Sequence, residues 1–268
     1  MYITINATHY WVEQHGHGPP ILLLHGFTGT HHTWDNFVND WNDQLTIITM
    51  DLPGHGKTDG NTHFTMESVC KDIDHLLQEL GMERLDVLGY SMGGRTALSF
   101  AMNYPRRVER LILESASPGL ETAREQLTRQ TKDESLAAEI ERYGVKAFIN
   151  RWQELPMFSS QQTLSAEVKQ VIREERLSHT AEGLAASLRG MGTGIQPSWW
   201  DNLSTFSGEV LLLSGELDEK FTSIAQNMEK AFQKARHIKV LNAGHAIHVE
   251  QPKFFGKIVT EFIFPSEE

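Results

Sequence analysis

The chain of 268 residues contains a single cysteine, Cys70, so no internal disulfide can brace it and its stability must come from a buried core. Cys70 shares a helical stripe with Met66, Val69, Ile73, Leu76, Leu77 and Leu80, the pattern of a core face and not of a reactive thiol. No apolar run approaches the roughly 18 residues that a membrane helix needs, so no membrane association is expected. Positive charge is also scarce. Lys and Arg number 24 against 35 Asp and Glu, a net charge of −11, which argues against nucleic acid or an anionic membrane as partner. The opening Met1-Tyr2-Ile3-Thr4 has neither a basic segment nor a cleavage site, and a cytoplasmic location is expected. Repeats, low-complexity segments and Pro/Ser-rich linkers are lacking.

What is present is an alternation of strand and helix. Residues 2–13 read as an antiparallel hairpin, 21–24 as a buried strand and 45–50 as the next. A helix over 66–80 leads to a strand at 84–88, a helix at 92–103 and a strand at 108–114. Strands at 209–213 and 237–241 and a helix from Pro252 to Phe264 close the chain. Such alternation predicts an α/β fold with a mostly parallel central sheet covered by helices on both faces. The stretch 119–200 breaks the pattern, being charged, helix-compatible and poor in strand-like runs. It reads as a helical cap inserted into a core formed by residues 1–118 and 201–268, closing over the C-terminal edge of the sheet.

Gly89-Tyr90-Ser91-Met92-Gly93 follows the apolar run Leu85-Asp86-Val87-Leu88 and precedes a helix-compatible segment. A G-x-S-x-G pentapeptide in that context predicts a nucleophile elbow, a turn tight enough to need glycines around an exposed serine. Asp218 and His245 lie on loops after the strands at 209–213 and 237–241, where open α/β sheets place their sites. The order Ser91, Asp218, His245 is that of a hydrolase-type triad: the histidine takes the serine proton, and the aspartate orients the imidazole. The run Ile21-Leu22-Leu23-Leu24 ends in His25-Gly26-Phe27, a turn that predicts the Phe27 amide as one oxyanion donor, with Met92 as the other. His31-His32 and His245-x-x-His248 lack acidic or thiol neighbours at metal-site spacing, and the Gly190–Gly194 run follows no strand. Neither a metal nor a cofactor is expected.

With these motifs in place the chain resembles the α/β-hydrolase superfamily over nearly its whole length. Further stretches are similar to one family within it, the 2-succinyl-6-hydroxy-2,4-cyclohexadiene-1-carboxylate synthases of menaquinone biosynthesis. They are Gly89-Tyr90-Ser91-Met92-Gly93-Gly94-Arg95, Ser117-Pro118-Gly119-Leu120, Trp152 with Leu155-Pro156-Met157-Phe158, Arg176-Leu177-Ser178, and Ser187-Leu188-Arg189-Gly190-Met191-Gly192-Thr193-Gly194. The resemblance implies a lyase that eliminates pyruvate from an enolpyruvyl cyclohexene carboxylate. It also implies that Arg95, Arg129 and Arg176 face a small polycarboxylate substrate, with Tyr90 and Trp152 packing on it. A monomer is expected. From the residues alone, Arg95 falls one helical turn after Ser91, where its guanidinium can face the same cavity and grip a carboxylate. Arg124 and Arg173 read equally well as solvated helix-face residues. The residues leave open whether Ser91 is a base or a nucleophile; the resemblance implies a base. A carboxylesterase, thioesterase or C–C bond hydrolase on the same triad is the alternative enzyme, and a catalytically dead binding receptor the alternative class.

Overall fold

The computed structural model describes residues 1–265. The chain opens with β1 (Tyr2–Ile5) and β2 (Thr8–Gly16), an antiparallel pair, and continues through β3 (Pro20–Leu24), α1 (Asp35–Trp41), β4 (Thr46–Met50) and the short β5 (Asp59–Gly60). Then come α2 (Met66–Glu79), β6 (Leu85–Tyr90), α3 (Met92–Asn103) and β7 (Val108–Glu114). Three helices follow, α4 (Ala123–Trp152), α5 (Ala166–Leu177) and α6 (Ala181–Met191), before the sheet resumes with β8 (Glu209–Gly215), α7 (Glu219–Ala231) and β9 (Ala235–Val240). The small α8 (Ile247–Glu250) and α9 (Pro252–Ile263) end the described chain.

The strands lie in the order β1-β2-β4-β3-β6-β7-β8-β9, with β5 beside β2. Every pairing from β4 to β9 is parallel, and β2 joins antiparallel. Strand β3 is fully buried because both faces of the sheet are covered. Its Ile21 and Leu23 enter the layer made with Trp34, Phe37, Phe255, Val259 and Phe262, so α1 and α9 cover that face. Its Leu22 and Leu24 enter the opposite layer, with Val69, Cys70 and Ile73 of α2 and Ala97, Leu98 and Ala101 of α3. Cys70 is fully buried there, a packing residue. The α2 stripe starts at a reciprocal cap in which Thr65 and Ser68 each accept from the other's backbone N–H.

Helices α4 to α6 build a small core of their own from Ala137, Ile140, Phe148, Ile149, Leu184, Ala185 and Leu188, against which Phe27 of the β3 turn packs. The glycines between 190 and 194 serve close packing. A Cβ on Gly190 would stand 2.1 Å from the Phe64 carbonyl oxygen, and one on Gly194 2.4 Å from the Gln130 nitrogen. Strand β6 runs two residues beyond the sequence-based boundary because Gly89 and Tyr90 still pair with Leu113 and Glu114 of β7. The last strand begins earlier than its apolar residues suggest, since Ala235 and Arg236 pair with β8 although neither carries a long aliphatic side chain.

Charged residues are embedded in this sheet, Asp86 and Glu114 among them. Asp86 of β6 is 2% exposed and reaches Arg110 at 3.3 Å, and burial pushes its carboxyl up to about 6. A carboxyl raised in the folded state stabilises the fold at low pH and loses that contribution as pH rises toward its folded value. Asp86→Asn should therefore stabilise the protein at pH 8. Its advantage at pH 8 should exceed that at pH 5 by about 1 kcal/mol, read from urea midpoints at the two values. Equal effects at both would show that Asp86 titrates normally.

Candidate active site

Ser91 sits between β6 and α3 at φ 51 and ψ −108, a left-handed conformation that L-residues seldom adopt. The chain holds it there by close approach. A Cβ on Gly89 would lie 2.2 Å from the Gly93 oxygen, and one on Gly93 2.0 Å from the Leu24 oxygen, so neither position can carry a side chain. The Ser91 N–H donates to the Glu114 carbonyl at 2.9 Å, and the Ser91 carbonyl accepts from Arg95 N–H at 3.0 Å. The hydroxyl is thereby fixed at the C-terminal edge of the sheet, over the first turn of α3.

Two loops bring the partners. His245 Nε2 lies 3.1 Å from Ser91 Oγ, and its Nδ1 lies 2.6 Å from Asp218 Oδ2. With a carboxylate at Nδ1, that nitrogen carries the proton and Nε2 is free to accept from the serine. Asp218 Oδ1 also accepts from Phe221 N–H at 3.3 Å, capping α7, so this aspartate is set by a helix as well as by the histidine. The His245 side chain is wholly buried, among the rings of Phe221, Tyr90 and Phe158 with centroids at 4.7, 5.4 and 6.1 Å. The Ser91 side of the hydrogen bond opens into the cavity, while the imidazole behind it is enclosed.

The turn after β3 is pinned by His25. Its Nε2 accepts from Leu52 N–H at 2.9 Å, which leaves Nδ1 to donate to the Gly26 carbonyl at 2.8 Å. Burial lowers this imidazole to about 4, so it stays neutral and keeps both bonds. Gly26 lies under Tyr90, since a Cβ there would come within 2.6 Å of the ring. Among the described residues neither the Phe27 nor the Met92 amide finds a hydrogen-bond acceptor. Both residues line the cavity that holds Ser91.

That cavity measures about 350 Å³ and lies between the sheet edge and the cap. Tyr90, Arg95, Arg129 and Trp152 line it, together with Lys220, which carries no recognisable motif and was not foreseen from the sequence. Arg95 donates through Nη1 to the Met191 carbonyl at 2.7 Å and to Gln196 Oε1 at 2.9 Å. It has no carboxylate partner among the described residues, and burial together with Arg129 lowers its guanidinium to about 10. Arg129 pairs with Asp133 at 2.7 Å. The Trp152 Nε1–H is buried without an acceptor.

Arg176 is placed differently. It is buried against Phe158, with its guanidinium carbon 4.6 Å from the ring centroid, and donates to Gln161 Oε1 at 3.2 Å. It lines a neighbouring cavity of about 330 Å³ that shares Phe27, Tyr90 and Phe158 with the serine cavity. Arg173 bonds the side chains of Gln153 and Asn150, and Arg124 is exposed. Two histidines of the paired spacings have structural partners: His31 Nδ1 meets Asp51 at 2.8 Å and His248 Nδ1 meets Glu114 at 2.8 Å.

Comparison with known proteins identifies the family. Residues 19–252 match the model of the alpha/beta hydrolase fold family. A Bacillus subtilis (strain 168) protein named "Putative 2-succinyl-6-hydroxy-2,4-cyclohexadiene-1-carboxylate synthase" is 44% identical, over 91% of this chain and 89% of its own. The 2-succinyl-6-hydroxy-2,4-cyclohexadiene-1-carboxylate synthase of Salmonella typhimurium is 28% identical over 87% of this chain and 89% of its own. The solved structure of MenH from S. aureus superposes with a TM-score of 0.91 at 33% identity, covering 96% of this chain and 98% of that one.

A cation held in a cavity wall without a carboxylate is a poor contributor to stability. Arg95→Met should therefore change the stability of the protein by no more than about 1 kcal/mol, because the desolvation relieved offsets the two hydrogen bonds lost. Thermal and urea unfolding measure this directly. A loss of several kcal/mol would make Arg95 a structural clamp between α3 and the cap.

Proposed function

The chain belongs to the alpha/beta hydrolase fold family, and we propose that within it this protein is a carbon–oxygen lyase. Its substrate is 2-succinyl-5-enolpyruvyl-6-hydroxy-3-cyclohexene-1-carboxylate, and its products are pyruvate and 2-succinyl-6-hydroxy-2,4-cyclohexadiene-1-carboxylate. The observation that carries this reading is that Arg95 and Arg129 line the same cavity as Ser91, behind which His245 and Asp218 are bonded in series. A neutral ester has no use for Arg95 left without a carboxylate, whereas a substrate bearing several carboxylates supplies the missing partner. The relatives named for this synthase support the choice of reaction.

The mechanism follows from the chemistry of the substrate. The ring C–H beside the succinyl ketone is acidic because its carbanion delocalises onto the ketone oxygen. His245 accepts the Ser91 proton, Asp218 stabilises the imidazolium, and the Ser91 oxygen takes the proton from carbon. The Phe27 and Met92 amides receive the enolate oxygen. The electron pair then moves through the ring double bond and expels the enolpyruvyl oxygen, so one C–H and one C–O bond break as the conjugated diene forms. The imidazolium returns its proton to the departing enolpyruvate, which tautomerises to pyruvate. Tyr90 and Trp152 pack on the ring, and the Trp152 N–H gains an acceptor in a substrate oxygen. Arg176 reaches the substrate across Phe158, with which it already stacks. The alternative, ester or C–C bond hydrolysis, uses the same triad but gives the arginines no role.

Incubation with the enolpyruvyl substrate should release pyruvate and generate diene absorbance in equal amounts; hydrolysis without a diene would favour the alternative. Ser91→Ala and His245→Ala should each lower turnover by roughly 10³-fold or more, with the double variant little worse, because the two groups act as a unit. Near-normal turnover by Ser91→Ala at unchanged stability would remove the serine from the chemistry. Arg95→Met should cost about 1.5–3 kcal/mol in kcat/KM on the carboxylate substrate and leave hydrolysis of a small neutral ester unaffected. Equal losses on both would point to a structural role.

A further inference from the structure

Behind the triad lies a second carboxylate–histidine pair, Glu114 and His248. Glu114 is the last residue of β7, pairing across the sheet with Tyr90 on one side and Leu213 on the other. Its carboxylate is fully buried and accepts from the His248 backbone N–H at 3.1 Å and from His248 Nδ1–H at 2.8 Å. Its main-chain carbonyl accepts the Ser91 N–H at 2.9 Å. One residue therefore grips both halves of the reacting pair: the elbow through its backbone, and the loop bearing His245 through its side chain.

That loop has other anchors, since the Asn242 N–H donates to Glu216 at 3.1 Å, the Ala243 carbonyl accepts from the Leu217 N–H at 2.9 Å and the Leu241 carbonyl accepts from Gln251 Nε2 at 2.6 Å, but none of these ties it to the elbow. Glu250 accepts from the Gly244 N–H at 2.7 Å and from Ser160 Oγ of the cap at 3.0 Å. Asp218 holds the His245 ring itself. The Tyr90 ring fills the space between the two histidines, with centroids 5.4 Å from His245 and 4.6 Å from His248, and Trp34 and Phe255 close the far side of His248 at 4.9 and 5.9 Å. A buried carboxylate is costly unless it is hydrogen-bonded in a fixed geometry, and Glu114 meets that condition through a residue three positions beyond the triad histidine.

We propose that Glu114 is a positioning residue for the reaction, setting the Ser91–His245 distance by tying the nucleophile elbow to the His245 loop through His248. It touches no substrate. The inference rests on the reading of Ser91 and His245 as the reacting pair, but not on which substrate they act upon. Displacements on the order of 1 Å in such a pair cost about 100-fold in rate, whereas substrate grip, set by the cavity wall, is untouched.

The test is Glu114→Met, which keeps the length of the side chain and the backbone carbonyl but removes both carboxylate oxygens from the His248 donors. His248→Asn serves as the second variant, approaching the pair from the other loop. Two readouts are independent of the substrate. The rate of Ser91 labelling by a fluorophosphonate should fall roughly 10- to 100-fold in both variants. In proton NMR the downfield His245 Nδ1–H resonance, assigned by its loss in Asp218→Asn, should shift or broaden in both. With the enolpyruvyl substrate, kcat should fall with KM within about threefold, and the loss should persist well below the melting temperature of each variant. An unchanged His245 resonance, together with unchanged labelling, would overturn the proposal even if the variants were less stable. Failure of the wild-type protein to release pyruvate would sink the lyase reading alone, because the resonance still reports on Glu114.

Discussion

The structure depends on holding Ser91 in a backbone conformation that it would not adopt unaided. At φ 51 and ψ −108 the residue costs of order 1–3 kcal/mol, and the surrounding chain must over-determine it. It does so sterically, by packing Gly89 on Gly93 and Gly93 on the end of β3, and through the hydrogen bond from Ser91 N–H to Glu114. The parallel sheet matters because it supplies those neighbours. β3 and β7 flank β6, so the carbonyls that crowd the elbow come from residues distant in sequence but fixed in register. His245 and Asp218 then have only to arrive from β9 and β8 at the same edge.

Over that edge lies the cap, on a scaffold that could serve many reactions. It has its own apolar core, against which Phe27 packs, and polar connections to the sheet as well. Glu175 of α5 accepts from the Thr30 N–H, the Thr30 hydroxyl and the Thr33 hydroxyl at 2.7 to 2.9 Å, and Arg95 of α3 donates to the end of α6. Arg95, Arg129 and Lys220 line one cavity together with Glu121 and Glu125, and Arg129 is already paired with Asp133. Arg95, without a carboxylate of its own, is the cation on which the proposed anionic substrate depends.

The Ser91–His245–Asp218 juxtaposition was legible in the sequence because each member follows a strand, two of them with unmistakable apolar runs. Ser91 follows Leu85–Leu88, Asp218 follows Val210–Leu213, and His245 follows the last strand, so topology alone brings them together. The cap was legible as helical and charged, but not in its packing. Arg176 lies against Phe158 and lines the cavity beside the serine cavity, a contact that no periodicity encodes. The Glu114–His248 pair was invisible for a similar reason. Its members are 134 residues apart, and His248 looked like the second half of a His-x-x-His spacing. Only the fold brings that histidine onto the strand that anchors the elbow.

The central claim is that a serine built like a nucleophile works here as a proton acceptor. Mass spectrometry of the Ser91 peptide, quenched during steady-state turnover of the enolpyruvyl substrate, tests it most directly. The account predicts an unmodified peptide throughout, with pyruvate accumulating in step with substrate loss. A substrate-derived acyl mass on Ser91, rising in the first turnover and decaying as substrate is exhausted, would contradict it and make the protein a hydrolase.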